Sequence, residues 1–222
     1  MNWSYGITTV PARVNTLLVD TLASLAAAGF HSPRLFIDGV GEALEVSEKE
    51  YPITIRSPAL GGFGNFALAA LELSIRDPHA DRYAIFQDDI LVCKNLKEYL
   101  EASPYPEKSY LNLMTMESNH PVAQGRPADT TGWYQTDQLA RGAQALVFNN
   151  IALRSLLTQR HFIDRPTTNS KRSTRGIDGT TVGAMNNAGY KEWVHYPSLV
   201  QHVGRVSAMN NTWKGDAPSY VG

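Results

Sequence analysis

Hydrophobic positions in the first half of the chain recur with two periods. Residues 5–10 form a short β-rich run that Pro11 ends. Leu18, Leu22 and Leu25 then recur at helical spacing, and Gly29 follows as a stop. Residues 34–37 form the next apolar run, ending at Asp38-Gly39, and residues 51–55 predict a third strand. Residues 65–75, rich in Ala and Leu, predict a helix. Residues 83–86 predict a fourth strand that runs into Gln87-Asp88-Asp89. Strands alternating with helices predict an α/β domain whose mostly parallel central sheet is covered on both faces.

The second half is less regular. Residues 110–116 and 143–148 predict strands, and residues 151–157 a short helix. Residues 179–188 predict another helix with Asp178 as its N-cap. Residues 193–203 are β-rich and interrupted by Pro197, while residues 124–131 and 160–176 read as loops. No internal repeat, low-complexity tract or clear linker divides the chain. A single domain over residues 1–222 is therefore expected.

Composition narrows the classes. A chain of 222 residues suits one domain with a sizeable core. With 43% hydrophobic and 18% charged residues, wholesale disorder is excluded. A formal net charge of -1 excludes a whole-surface polycation but allows a local basic patch. Cys93 is alone, so no internal disulfide or multi-cysteine metal site is available; it reads as a small buried apolar residue. The most apolar stretch, residues 17–30, contains Asp20, Thr21 and Ser24. It is shorter than the roughly 20 apolar residues that cross a bilayer. The N-terminus lacks the basic-then-apolar pattern of a signal peptide. These features predict a cytoplasmic protein of a reducing compartment, without stable membrane insertion.

Asp88 and Asp89 stand where an apolar strand ends. In open α/β sheets, ligands bind outside the carboxyl ends of the strands. Adjacent carboxylates repel each other unless a cation or donor groups compensate. Hard cations such as Mg²⁺ and Mn²⁺ prefer carboxylate oxygen and often share it with phosphate. The pair therefore reads as a metal–diphosphate site, or else as a solvated turn.

Phe86-Gln87-Asp88-Asp89-Ile90 resembles the acidic motif of metal-dependent nucleotide-sugar glycosyltransferases with the GT-A fold. Three further segments resemble the same family, so that the likeness extends over roughly residues 4–205. Gly6-Ile7-Thr8-Thr9-Val10-Pro11-Ala12-Arg13 is similar to its first strand and nucleotide loop. Gly61-Gly62-Phe63-Gly64-Asn65 is similar to the loop beside the donor sugar; glycines admit close backbone approach, and a helix N-terminus attracts phosphate. The run from Tyr196 to Arg205, with Gln201-His202-Val203-Gly204 inside it, is similar to a late metal-binding histidine segment.

The resemblance implies a GT-A, Rossmann-like fold, with residues 1–92 as the nucleotide-sugar half and residues 93–222 as the acceptor and catalytic half. It implies a nucleoside-diphosphate sugar donor, UDP-sugar favoured, and an acceptor glycan. Asp89 inherits the metal-ligand role and His202 the second ligand, a set that suits Mn²⁺ better than Mg²⁺. Asp88 inherits a supporting role. Gln87 departs from the acidic first position; it can bond a ribose or a water but brings no charge. Thr8, Thr9, Arg13, Asp38, Gly61, Gly62, Asn65 and Arg205 fall at donor-binding positions. Arg13 also reads as a surface residue of the first helical turn, and Asp38-Gly39 as an ordinary turn.

An inverting transferase needs a base near the acceptor hydroxyl. The matching position is Asp178 in Gly176-Ile177-Asp178-Gly179, although Ile177 stands where the family often has Glu. A helix N-cap is the competing role of Asp178. Residues 160–176 carry Arg160, Arg165, Lys171, Arg172 and Arg175 against Asp164. Lys171, Arg172 and Arg175 belong either to a solvated loop or to a contact with a polyanionic acceptor such as nucleic acid. Trp133 and Tyr134 offer either an aromatic acceptor platform or core packing.

Two other classes compete. A sugar-phosphate nucleotidyltransferase would want a glycine-rich N-terminal phosphate loop, which residues 8–13 lack. A non-catalytic nucleotide- or carbohydrate-binding module would not need Asp88-Asp89, Asp178 and His202 together.

Overall fold

A computed structural model of the chain describes residues 1–40, 50–164, 176–204 and 217–222. The elements are β1 (Trp3–Thr9), α1 (Leu17–Ala27), β2 (Arg34–Asp38), β3 (Ile53–Arg56), α2 (Gly61–Arg76), β4 (Arg82–Gln87) and β5 (Ile90–Val92). There follow α3 (Leu96–Ala102), β6 (Ser109–Asn112), β7 (Gly132–Gln135), β8 (Ala145–Asn149), α4 (Asn150–Leu157), α5 (Arg160–Ile163), α6 (Ile177–Asn187), β9 (Lys191–Tyr196) and β10 (Val200–His202).

Eight strands form one sheet in the order β3-β2-β1-β4-β8-β6-β9-β7. The first four are mutually parallel, as the strand–helix alternation predicts. β8 is antiparallel to β4 and β6, β6 and β9 are parallel, and β7 is antiparallel to β9. The sheet thus runs unbroken from the first half of the chain into the second.

Side-chain alternation builds the two layers. On β2, Leu35 and Ile37 join Leu18 and Leu25 of α1 on one face, while Phe36 joins Phe66, Ala69 and Leu73 of α2 on the other. On β4, Ala84 and Phe86 face the first layer, and Tyr83 and Ile85 the second. Phe30 anchors the first layer, edge-on to Trp3, Tyr5 and Phe86.

The sequence expectations need five corrections. The segment from residue 160, expected as a loop, opens with the one-turn helix α5 over Arg160–Ile163. α2 begins at Gly61, so the glycine-rich segment is its first turn rather than a loop before it. Gly61 itself has φ of 78°. α6 begins at Ile177 with Gly176 as its N-cap, which places Asp178 inside the first turn. The strand expected over residues 110–116 ends at Asn112, and the β-rich run from residue 193 is two strands, β9 and β10, belonging to different sheets. The predictions also omitted β5, α3 and β7, which are short or carry few apolar residues.

Gly6 is fixed by close approach. A Cβ on it would lie 2.5 Å from the Phe36 ring and 2.7 Å from the Arg34 carbonyl. Gly6→Ala must therefore push β1 from β2 or move Phe36, at a cost of about 1–3 kcal/mol. Chemical denaturation of the variant should show that loss with an unchanged m-value.

Candidate active site

The chain leaves β1 toward β2 and β3, then returns to β4 on the other side of β1. The carboxyl ends of β1 and β4 therefore flank a topological switch point, where open α/β sheets bind ligands. β1 delivers Thr9 there, and the single turn at Pro11–Arg13 delivers Arg13. β4 delivers Asp88 and Asp89, both buried.

Their contacts form one network. Thr9 Oγ1 donates to Asp88 Oδ2 at 2.5 Å. Arg13 Nη1 donates to Asp88 Oδ1 and to Asp89 Oδ2, each at 2.8 Å. His202 Nε2 lies 3.2 Å from Asp89 Oδ2. Burial pushes the Asp88 carboxyl above its ordinary pKa, and Thr9 and Arg13 only partly offset it. Burial acts on Asp89 in the same direction, but His202 and Arg13 outweigh it and hold that carboxyl below the usual range.

His202 reaches Asp89 because β10 pairs antiparallel with β5, placing His202 opposite Ile90. Val203 N also donates to the Asp89 carbonyl at 2.8 Å. Thr21, buried on α1, fixes the intervening turn: its hydroxyl meets the Asp88 carbonyl and both backbone groups of Ile90.

The residues fit a divalent cation in three respects. Asp89 Oδ1 is buried and receives no hydrogen bond among the described residues. Asp89 and His202 offer a carboxylate and an imidazole side by side, a donor pair suited to Mn²⁺. Gly204 keeps the space beside them open: a Cβ there would lie 2.6 Å from Asp89 Oδ2 and 3.0 Å from His202 Nε2. Among the described residues no group of three or more His, Cys, Asp or Glu side chains could hold a metal. A cation here would need further ligands, which is the habit of metals shared with phosphate.

The remaining donor-side residues divide. Thr8 Oγ1 donates to the Phe86 carbonyl across the β1–β4 seam. Asp38 accepts the backbone N–H groups of Leu60 and Gly61, at 2.7 and 2.8 Å, and so anchors the start of α2 at the sheet's carboxyl edge. Gly62 is exposed beside Gly61. Asn65 faces inward, its amide donating to the Phe36 carbonyl. Gln87 donates through its side chain to the Ala143 carbonyl and ties β4 to the approach of β8. Arg205, Lys171, Arg172 and Arg175 lie outside the described residues.

On the acceptor side, Tyr134 is buried and its hydroxyl donates to the Asn119 carbonyl, so it packs in the core and gives no stacking platform. Trp133 packs edge-on against His195 and the first core layer. Asp178 Oδ1 accepts the N–H of Gly179. Among the described residues no hydrogen bond or ion pair joins Asp178 to Asp89.

Sequence reasoning missed Glu192, which is fully buried on β9. Tyr110 Oη and Asn112 Nδ2 donate to its Oε1 at 3.2 Å each, and Thr136 Oγ1 donates to Oε2 at 3.0 Å. Burial pushes its carboxyl up to about 7, those three hydrogen bonds oppose the rise, and the charge of Asp178 adds to it. Period-2 alternation with buried Val194 was the available signal.

In sequence, no family model and no curated protein matches the chain. In structure it is similar to GalNAc-T7 crystallised with UDP, GalNAc and Mn²⁺, with TM-score 0.63 and 11% identity over 97% of this chain and 45% of that one. It is also similar to S. aureus TarS, with TM-score 0.54 and 11% identity over 87% of this chain and 35% of that one. A nucleotidyl transferase from Methanothermobacter matches with TM-score 0.51 and 11% identity over 88% of both chains. The chain thus spans less than half the length of the first two. The fold is GT-A, as in the glycosyltransferases among these neighbours. No helix among the described residues is long and apolar enough to cross a membrane.

Glu192 makes stability depend on pH. The unfolded chain loses this proton near pH 4.5, whereas the folded chain keeps it to about 7. Unfolding between those values releases a proton, so stability falls as pH rises through the window. A proton kept from 4.5 up to about 7 corresponds to about 3 kcal/mol. Urea titrations at pH 5 and pH 8 should show the wild type losing stability relative to Glu192→Gln by an amount of that order.

Proposed function

We propose that this chain is a metal-dependent glycosyltransferase that moves a sugar from a nucleoside-diphosphate sugar, a UDP-sugar in preference, to an acceptor hydroxyl. The observation that carries the reading is the Asp89–His202 pair, 3.2 Å apart, with a buried free carboxylate oxygen at the switch point of the sheet. The fold alone does not select this reaction, because a nucleotidyl transferase shares it.

In this reading Asp89 and His202 hold the cation, with Mn²⁺ favoured by the imidazole. Bound there, the metal would supply Lewis-acid charge against the leaving diphosphate. Thr9 holds Asp88 by hydrogen bond, and Asp88 in turn positions Arg13. The guanidinium fork of Arg13 suits a diphosphate oxygen. Asp38 holds the first turn of α2 beside the donor side of the cleft, where Gly61 and Gly62 present backbone rather than side chain.

Asp178 takes the proton of the acceptor hydroxyl as the sugar is transferred, with inversion at the sugar carbon. It stands in the first turn of α6, at the positive end of the helix dipole. The acceptor is a glycan in this reading. Residues 1–92 serve the donor and residues 93–222 the acceptor.

Two measurements test the reading. Calorimetry of UDP should show Mn²⁺-dependent binding by wild type and its loss in Asp89→Ala; metal-independent UDP binding, or none, would refute the metal assignment. Asp178→Asn keeps an acceptor oxygen for Gly179 N and should keep UDP affinity. Its turnover should fall by roughly 10²–10⁴, the usual share of a general base. Full turnover in Asp178→Asn would remove Asp178 from the chemistry.

A further inference from the structure

Arg13 stands in an unusual place for a residue that serves only the diphosphate. One nitrogen, Nη1, lies 2.8 Å from a carboxylate oxygen of each aspartate. The Asp89 oxygen that it uses, Oδ2, is also the one facing His202. All three side chains are mostly buried. Two adjacent buried carboxylates carry two negative charges, and Arg13 returns one positive charge at bonding distance from both. The carboxylates and the guanidinium therefore already form a partly neutralised unit.

A divalent cation held by Asp89 and His202 alters that balance. With Arg13 in place, the guanidinium and the cation together carry three positive charges against the two negative ones of Asp88 and Asp89, within a few ångströms of each other and out of bulk water. Like charges at such separations interact strongly in a buried site. A diphosphate corrects the excess twice over: it brings negative charge to the metal, and it offers the guanidinium a second set of acceptor oxygens.

We infer that Arg13 competes with the divalent cation for the Asp88–Asp89 pair, so that the metal binds well only together with a nucleoside diphosphate that draws the guanidinium from Asp89. The inference rests on the proposed function and adds an order of loading to it. Free metal is held off, and the metal–diphosphate complex is the species the site accepts. Thr9 supports the exchange, since its bond to Asp88 Oδ2 persists when Arg13 departs from Oδ1.

Linkage makes this measurable without turnover, because metal and diphosphate must raise each other's affinity by the same factor. Mn²⁺ binding is read by electron paramagnetic resonance with and without UDP, in wild type and in Arg13→Gln. Wild type should bind Mn²⁺ weakly alone and about tenfold or more tightly with UDP. Arg13→Gln should bind Mn²⁺ alone about tenfold more tightly than wild type, with a smaller gain from UDP. Circular dichroism and thermal unfolding establish that the variant is folded. If it is not, Arg13→Met keeps an unbranched side chain without the charge, and its nucleotide-free Mn²⁺ affinity should likewise lie above that of wild type. Unchanged or weaker nucleotide-free Mn²⁺ binding in a folded variant overturns the competition while leaving the proposed function standing. Absence of Mn²⁺-dependent UDP binding in wild type refutes the proposed function, and this inference with it.

Discussion

Two neighbouring carboxylates buried at the end of one strand set the terms for the rest of the molecule. Asp88 and Asp89 are almost wholly removed from solvent, where their mutual repulsion would be costly without compensation. Everything around them supplies positive charge or donors: Thr9 and Arg13 from the first strand and its turn, and His202 from the last strand. Those partners come from opposite ends of the chain, so the pair ties the two halves together. Their different partners also separate the two aspartates: burial leaves Asp88 the weaker acid, while His202 and Arg13 keep Asp89 ionised.

The sheet explains why these groups can meet. Reversal of strand order between β1 and β4 opens a gap at the carboxyl edge, and the turns after both strands project into it. The small antiparallel pair of β5 and β10 then brings the C-terminal segment across to the same edge. The tight β1–β2 contact at Gly6 and the Thr21 bonds to the Asp88–Ile90 turn keep the geometry rigid beneath the site. Glu192 shows the same economy on the other side of the sheet. It is a buried carboxyl satisfied by three donors, within the field of Asp178.

Much of the fold was legible because its causes are local. Alternation and helical spacing around Leu18, Leu35, Ile37 and Phe86 report which face each element buries, and these residues fill the core. Elements were missed where the local signal is thin. Strand β5 has three residues, and α3 starts from Asn95 in a left-handed conformation without a side-chain cap. The start of α2 was misplaced because glycine propensity argues against helix, whereas Asp38, distant in sequence, accepts the first N–H groups and stabilises that turn. The N-cap of α6 moved to Gly176 for want of any local feature that separates a cap from a first-turn acid.

The sequence by itself determined the α/β class, the parallel first half and the placing of an acidic pair at a strand end, because hydrophobic periodicity and strand-end chemistry are written in neighbouring residues. It also carried the candidate roles of Asp89, His202 and Arg13 through short motifs. Only the tertiary structure decided which of these residues meet. The contacts of Asp89 with His202, and of Arg13 with both aspartates, span 113, 75 and 76 residues. They depend on strand order and on the β5–β10 pairing, neither of which any local pattern specifies. The same holds for Tyr134, whose burial and bond to Asn119 follow from the packing around β7, and for Glu192, whose three donors come from β6 and from Thr136, just beyond β7.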